Sequence, residues 1–184
     1  MCQHAVDRSS GVLQRINIDC FGTDELLQYI VDRSALCHEK YHLNRSSNLK
    51  SLRLMMCYDT SDEGLIMAAK KMPSLEELEL YSCSNAEFIC FNWEDFDDIE
   101  LDGEAMAIAK AMPELRHLMI FGNLLTNDGL KAILDGCPHL ESLDLRQCFN
   151  LKLEEGGLGR RCAERIKVLL LPNDSTAGYP FVID

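Results

Sequence analysis

No apolar run in this 184-residue chain approaches the roughly 20 residues that span a bilayer. No signal peptide is visible at the N-terminus. The nine cysteines include no Cys-x-x-Cys pair, and their number is odd. That argues against a disulfide framework and for reduced, mostly buried thiols in a reducing compartment. Two glycosylation triplets, Asn44-Arg45-Ser46 and Asn173-Asp174-Ser175, point the other way, but such triplets often arise by chance. Lys and Arg are absent from Met72 to Ala109, a window that holds eleven acidic residues and supplies almost all of the net charge of -12. Such a field repels phosphates and disfavours nucleic acid as a partner. These absences set an expectation: one soluble domain over residues 1–184, cytoplasmic and/or nuclear, with no membrane partner and no cofactor.

What is present is a spacing. Leu49, Leu52, Leu54 and Cys57 form L-x-x-L-x-L-x-x-C, and the pattern returns at Leu75, Leu78, Leu80, Cys83 and at Leu140, Leu143, Leu145, Cys148. Variants read Leu115, Leu118, Ile120, Asn123; Leu13, Ile16, Ile18, Phe21; and Ile166, Leu169, Leu171 before Pro172. This is the signature of a leucine-rich repeat. Strand side chains alternate faces, so the fourth and sixth residues of the unit point inward and the one between them outward. Cys or Asn then serves the turn from inside: Asn through its amide, Cys as a small, buriable, weak donor. Helices follow, with acidic caps at Asp62-Glu63-Gly64-Leu65 and Asn127-Asp128-Gly129-Leu130, and end before Pro73, Pro113 and Pro138. The predicted fold is an α/β leucine-rich repeat solenoid of about five to six units. It is an open horseshoe with short parallel strands on the concave side and helices on the convex side.

The repeat starts at 13, 49, 75, 115, 140 and 166 are separated by 36, 26, 40, 25 and 26 residues. Three intervals fit the 25–26-residue unit of the cysteine-containing class. The other two predict irregular segments near 35–46 and 85–102, with Phe88–Asn92 as the remnant of a lost strand.

Chemical motifs are few. His38-Glu39-Lys40-Tyr41-His42 is a literal HExxH, which on a helix binds zinc through His38 and His42 with Glu39 as general base. It sits where the repeat register breaks, and Arg45 and Asn48 stand where further metzincin residues belong, so coincidence is the favoured reading. Asp98, Glu100, Asp102 and Gly103 begin a calcium loop, but Ala109 replaces its bidentate Glu. Gly156-Gly157-Leu158-Gly159 lacks the Lys of a phosphate loop and reads as a turn. His117 and His139 read as surface histidines, and Cys162 beside Arg161 has no evident histidine partner. The acidic run from Glu94 to Glu104, with Trp93 and Phe96, reads as a solvated insertion or as a docking site for a basic partner.

Longer stretches carry a family resemblance. Met112-Pro113-Glu114-Leu115-Arg116-His117-Leu118, Phe121-Gly122-Asn123 and Ile133-Leu134-Asp135-Gly136-Cys137-Pro138-His139-Leu140 are distinctive. So are Leu143–Asn150, Arg161–Lys167 and Leu171–Thr176. Together they closely resemble the C-terminal half of plant F-box/leucine-rich-repeat proteins. His4–Ser9 and Phe21–Glu25 are similar to the same family just after its F-box. The resemblance implies a substrate receptor of a cullin-RING ubiquitin ligase, an SCF complex of ubiquitin-dependent protein catabolism. In it the F-box binds a Skp-type adaptor and the repeats hold the target. Residues 1–12 are too few and too polar for that three-helix module, so adaptor binding by this chain is not expected.

Three readings remain open. The first is a protein-interaction module, non-enzymatic, whose target contacts lie on the outward positions of the strands. These are Arg53, Met55, Glu77, Glu79, Tyr81, His117, Met119, Phe121, Asp144 and Arg146, with Tyr81, Met119 and Phe121 as apolar anchors. The second is a zinc-dependent hydrolase using the HExxH at 38–42. The third is a non-functional, truncated gene product.

Overall fold

The computed structural model of the chain describes residues 2–34, 47–57, 59–81, 102–154 and 157–177. Ala35–Ser46 and all but the last residue of Asn85–Asp102 lie outside the described residues, as do the HExxH, Cys83 and Gly156.

Six strands form one parallel sheet in chain order: β1 Arg15–Asp19, β2 Ser51–Met55, β3 Glu77–Tyr81, β4 His117–Phe121, β5 Ser142–Asp144 and β6 Val168–Leu170. The register follows the leucine spacing. Ile16, Leu52, Leu78, Leu118, Leu143 and Leu169 stand side by side, each three residues after a repeat start. Ile18, Leu54, Leu80 and Ile120 form a second inward row. Both rows bury into one core with the first leucines of the units, Leu49, Leu75, Leu115 and Leu140. No unit closes a core alone, which is why stacking neighbours is what stabilises such a chain.

Helices α1 Cys2–Arg8, α2 Asp24–Arg33, α3 Asp62–Ala69, α4 Gly103–Ala111, α5 Asn127–Gly136 and α6 Leu158–Arg165 pack on one another in sequence along the other side. The caps of α3 and α5 differ from the expectation by one residue. Ser61 and Thr126, not the acidic residues after them, stand at the N-cap, where Gly64 N–H donates to Ser61 Oγ (3.0 Å) and Asp128 N–H to Thr126 Oγ1 (3.2 Å). A hydroxyl one residue earlier reaches the free N–H groups of the first turn, which an acid already inside the helix cannot do. Pro113 and Pro138 follow directly on the C-caps of α4 and α5.

The repeat pattern anticipates no element before Leu13, yet α1 lies there. Its Val6 is buried, and its Asp7 accepts from the Tyr29 hydroxyl (2.6 Å) and pairs with Arg33 (3.3 Å). That contact raises the Tyr29 phenol above its ordinary value, because the carboxylate holds its proton. Among the described residues, no helix is long and apolar enough to cross a membrane.

After each of four strands the chain enters the left-handed region at an equivalent place: Cys20 (φ 69°), Met56 (φ 52°), Gly122 (φ 70°) and Gln147 (φ 66°). Only Gly122 adopts this without a Cβ penalty. The cysteines behind these turns tie repeat to repeat. Cys148 Sγ–H donates to the Ile120 carbonyl (2.9 Å), and Cys57 Sγ–H reaches the Ile18 carbonyl (3.5 Å). Asn123, in the same place, accepts from Leu125 N–H (2.7 Å) and donates to Glu104 (2.6 Å).

Candidate protein-binding face

The period of two that buries the leucines turns three rows outward on the concave side. The first row is Arg15, Ser51, Glu77, His117, Ser142 and Val168. The second is Asn17, Arg53, Glu79, Met119, Asp144 and Leu170. The third is Asp19, Met55, Tyr81 and Phe121, with Arg146 following just beyond β5.

The rows change character along the solenoid. Toward the N-terminal end they carry ion pairs, Arg15 with Glu77 (3.6 Å) and Arg53 with Glu79 (3.3 Å). In the middle, the rings of Tyr81 and Phe121 stack with centroids 4.8 Å apart. The Arg146 guanidinium lies 5.9 Å from the centre of the Phe121 ring. Asp144 fixes it there by a fork: Arg146 Nε to Asp144 Oδ1 at 3.0 Å and Nη2 to Oδ2 at 2.6 Å. The two side chains are only 12% and 11% exposed, so this pair is far less screened than the exposed pairs of β1 to β3.

Exposure separates the ten expected contact residues. His117 is exposed, and Arg53, Glu77, Glu79, Tyr81, Met119 and Arg146 are half-buried. Met55, Phe121 and Asp144 are buried, at 0%, 5% and 8%. Phe121 is therefore not the exposed anchor it was expected to be; its ring is sandwiched between Tyr81 and Arg146. The same rows hold Arg15, Asn17 and Asp19 on β1, which the repeat reading passed over. The alternation that exposes Arg53 would have found them.

One residue before the strands, a second pattern runs along the edge of the sheet. Lys50 pairs with Glu76 (2.8 Å), and Glu141 with both Lys167 (2.7 Å) and Arg116 (3.0 Å). Lys50 holds the Glu76 carboxyl below its ordinary value, and Lys167 does the same for Glu141, with Arg116 adding to it. The backbone repeats the step: the carbonyls of Gln14, Lys50, Glu76, Arg116 and Glu141 each accept two N–H groups from the following repeat. An open pocket of about 240 Å³ lies here between Gln14, Arg15, Lys50, Ser51, Glu76 and Glu77. Its cations are already paired with its carboxylates.

Among the described residues, the other candidates do not gather into a reactive site. Burial pushes the Cys162 thiol up despite Arg161 and Arg165, the reverse of an activated nucleophile. Burial also pushes Cys148 up to about 12 and Cys137 to about 11. His139 is exposed, and Gly157 is the left-handed N-cap of α6. Among the described residues, no group of three or more His, Cys, Asp or Glu is placed to hold a metal ion.

No family model matches the chain. It is similar to several Arabidopsis thaliana proteins. It is 49% identical to Putative F-box/LRR-repeat protein 23 over 95% of the chain and 40% of that protein. It is 47% identical to F-box protein SKIP19 over 95% of the chain and 57% of that protein. A third, Putative F-box/LRR-repeat protein 21, is 41% identical over 98% of the chain and 65% of its own length. The chain thus spans roughly half the length of these relatives. With six strands in the register that the leucines dictate and this degree of identity, the chain belongs to the plant F-box/leucine-rich-repeat protein family.

Proposed function

We propose that this chain is a protein–protein interaction module, the target-binding repeat region of an F-box-type subunit of a cullin-RING ubiquitin ligase. The observation that carries the reading is the concave sheet. Its three outward rows run in register across the repeats and offer charge at one end and aromatic and apolar side chains in the middle. A wide surface of this kind suits an extended or folded protein partner better than a small substrate. The relatives' names, F-box and F-box/LRR-repeat protein, point the same way. The accessible contacts are Arg53, Glu77, Glu79, Tyr81, His117 and Met119, with Arg146 and Asp144 holding Phe121 behind them. The working compartment under this reading is the cytoplasm and/or nucleus.

In the family, adaptor binding belongs to the F-box. These 184 residues by themselves are therefore expected to hold a target without recruiting a Skp-type adaptor. A paired pull-down tests this, with the purified adaptor in one arm and the target of a full-length relative in the other. Capture of the target, lost on Glu79→Lys with Met119→Asp at unchanged melting temperature, is the supporting result. Tight adaptor binding by the 184-residue chain, or target binding indifferent to those substitutions, overturns it.

A further inference from the structure

The open pocket at the sheet edge holds two ion pairs that are not alike. In the first outward row Arg15, Ser51 and Glu77 stand side by side on β1, β2 and β3. Ser51 is small, and a hollow of about 240 Å³ opens between its neighbours. Strands lie about 4.8 Å apart, so Arg15 must reach across two strand spacings to meet Glu77. It arrives at 3.6 Å, beyond hydrogen-bond range, with 71% of its side chain exposed against 39% for Glu77. Lys50 and Glu76, one residue earlier, meet at 2.8 Å in a hydrogen bond. Among the described residues, nothing donates a hydrogen bond to the Glu77 carboxylate. The Ser51 hydroxyl and the Gln14 amide, which line the same hollow, have no side-chain hydrogen bond there either.

We propose that this pocket seats a lysine or arginine side chain of the protein target, which takes over the Glu77 carboxylate from Arg15. The inference rests on the concave face being the binding surface and names one contact within it. The hollow is smaller than the roughly 300 Å³ at which small-molecule sites begin, so it suits one side chain of a larger partner. A cation entering it gains charge-assisted hydrogen bonds to Glu77, half-buried and unbonded, and a further acceptor in the Ser51 hydroxyl. What it displaces is a long, exposed ion pair of the kind that contributes little. A carboxylate entering instead would stand beside both Glu76 and Glu77. Lys50 is committed to Glu76, which leaves only Arg15, whose long exposed side chain would have to be immobilised. Glu79, two residues on, is held at 3.3 Å by Arg53 from the adjacent strand, so Glu77 is the more exchangeable carboxylate of β3. The net charge of -12 acts in the same direction by drawing cations to the chain.

An NMR titration of the isotope-labelled full chain tests this without the target. The probes are three end-capped tripeptides, Gly-Arg-Gly, Gly-Lys-Gly and Gly-Glu-Gly, compared at equal ionic strength. The Arg and Lys peptides should shift the backbone amides of Ser51 and Glu77 to saturation, and the Glu peptide should not. Glu77→Gln should weaken that binding roughly tenfold, through loss of charge-assisted hydrogen bonding. Arg15→Ala should strengthen it about threefold, as for a site that Arg15 leaves open in about a third of molecules. An acidic ligand would reverse both signs. The parent chain's own choice between the Arg and Glu peptides decides the matter even if a variant melts early. Saturation by the Glu peptide alone, loss of binding on Arg15→Ala, or no saturable shift with any peptide overturns the proposal. So does binding of the basic peptides that is indifferent to Glu77→Gln. Basic peptides held at Glu77 by a chain that captures no target refute the target-binding function and leave the pocket's choice of cation standing. Target capture unchanged by Glu77→Gln and Arg15→Ala refutes the pocket assignment and leaves the binding function standing.

Discussion

The carboxylate of Asp102 accepts both the backbone N–H and the hydroxyl of Thr126, at 2.7 and 2.6 Å. The same clip recurs two turns of the solenoid away, where Asp24 accepts from the N–H and hydroxyl of Ser61 at 2.8 and 2.6 Å. Each joins the start of one repeat helix to the N-cap of the next, and Asn127 makes a related clip to the backbone of Lys152. The clips explain two glycines. A Cβ on Gly129 would stand 2.2 Å from Asp102 Oδ1, and one on Gly64 would stand 1.9 Å from Asp24 Oδ1.

Alanine at Gly129 therefore pits two effects against each other. Helix propensity favours Ala by about 1 kcal/mol. Displacing the carboxylate removes two hydrogen bonds to a charged group, each worth roughly 1.5–3 kcal/mol. The clip wins, and Gly129→Ala should destabilise by about 2 kcal/mol in a urea titration. With Asp102 already replaced by Ala, the same Gly129→Ala should be neutral or stabilising. Additive losses in the double variant would refute the clip.

Left-handed backbone at Gln147 makes the opposite prediction. A non-glycine residue there costs roughly 1–2 kcal/mol, whereas glycine costs about 0.5–1 kcal/mol through unfolded-state entropy. Gln147→Gly should raise stability by up to about 1 kcal/mol, read as a higher urea midpoint at constant slope. Gly122, at the equivalent turn, should show the reverse on Gly122→Gln, since its φ is 70°.

The charge ladder sets an acid limit. Glu141 is held below its ordinary value by Lys167 and Arg116, and Glu76 by Lys50. A depressed carboxyl adds stability above its unfolded value of 4.5, and that contribution disappears as pH falls through the lower folded value. Glu141→Gln should thus be less stable than the parent at pH 7 and indistinguishable from it once the parent carboxyl is protonated. Thermal melts from pH 7 to pH 3 check this. A gap that persists at pH 3 would point to packing instead of charge.

How much of this was legible depends on which residues stack. The six strands and their register follow from Leu52, Leu78, Leu118 and Leu143 because an inward residue must meet its counterpart one repeat away, a constraint written at fixed spacing. The caps at Ser61 and Thr126 were one residue off because both neighbours are capping types, and only geometry separates them. Burial of Met55 and Phe121 was not legible at all. An outward residue's exposure depends on neighbours on other strands, such as Tyr81 and Arg146, and not on its own strand's period. The Asp144–Arg146 fork did carry a signal, since opposite charges two apart on a strand share a face.

Thiol chemistry gives the last test, because the repeat cysteines differ in environment. Cys20 is exposed, while Cys137, Cys148 and Cys162 are buried, and all are free. Burial raises Cys148 from 9.0 to about 12. Only the thiolate reacts, and its fraction falls tenfold per unit, so roughly a thousandfold separates Cys148 from an unperturbed thiol before access is considered. Iodoacetamide at pH 8, followed by peptide mass spectrometry, should modify Cys20 before Cys137 and Cys162, and Cys148 only on unfolding. The same shift makes a stability prediction with a definite sign. A thiol whose folded value is raised ionises first in the unfolded chain, so stability is intact below pH 9 and falls as pH climbs toward 12. Cys148→Ala should remove part of that alkaline slope while costing stability at pH 7, since it deletes the bond to the Ile120 carbonyl. An unchanged alkaline limb, or rapid labelling of Cys148 in the native chain, would contradict its place in the core.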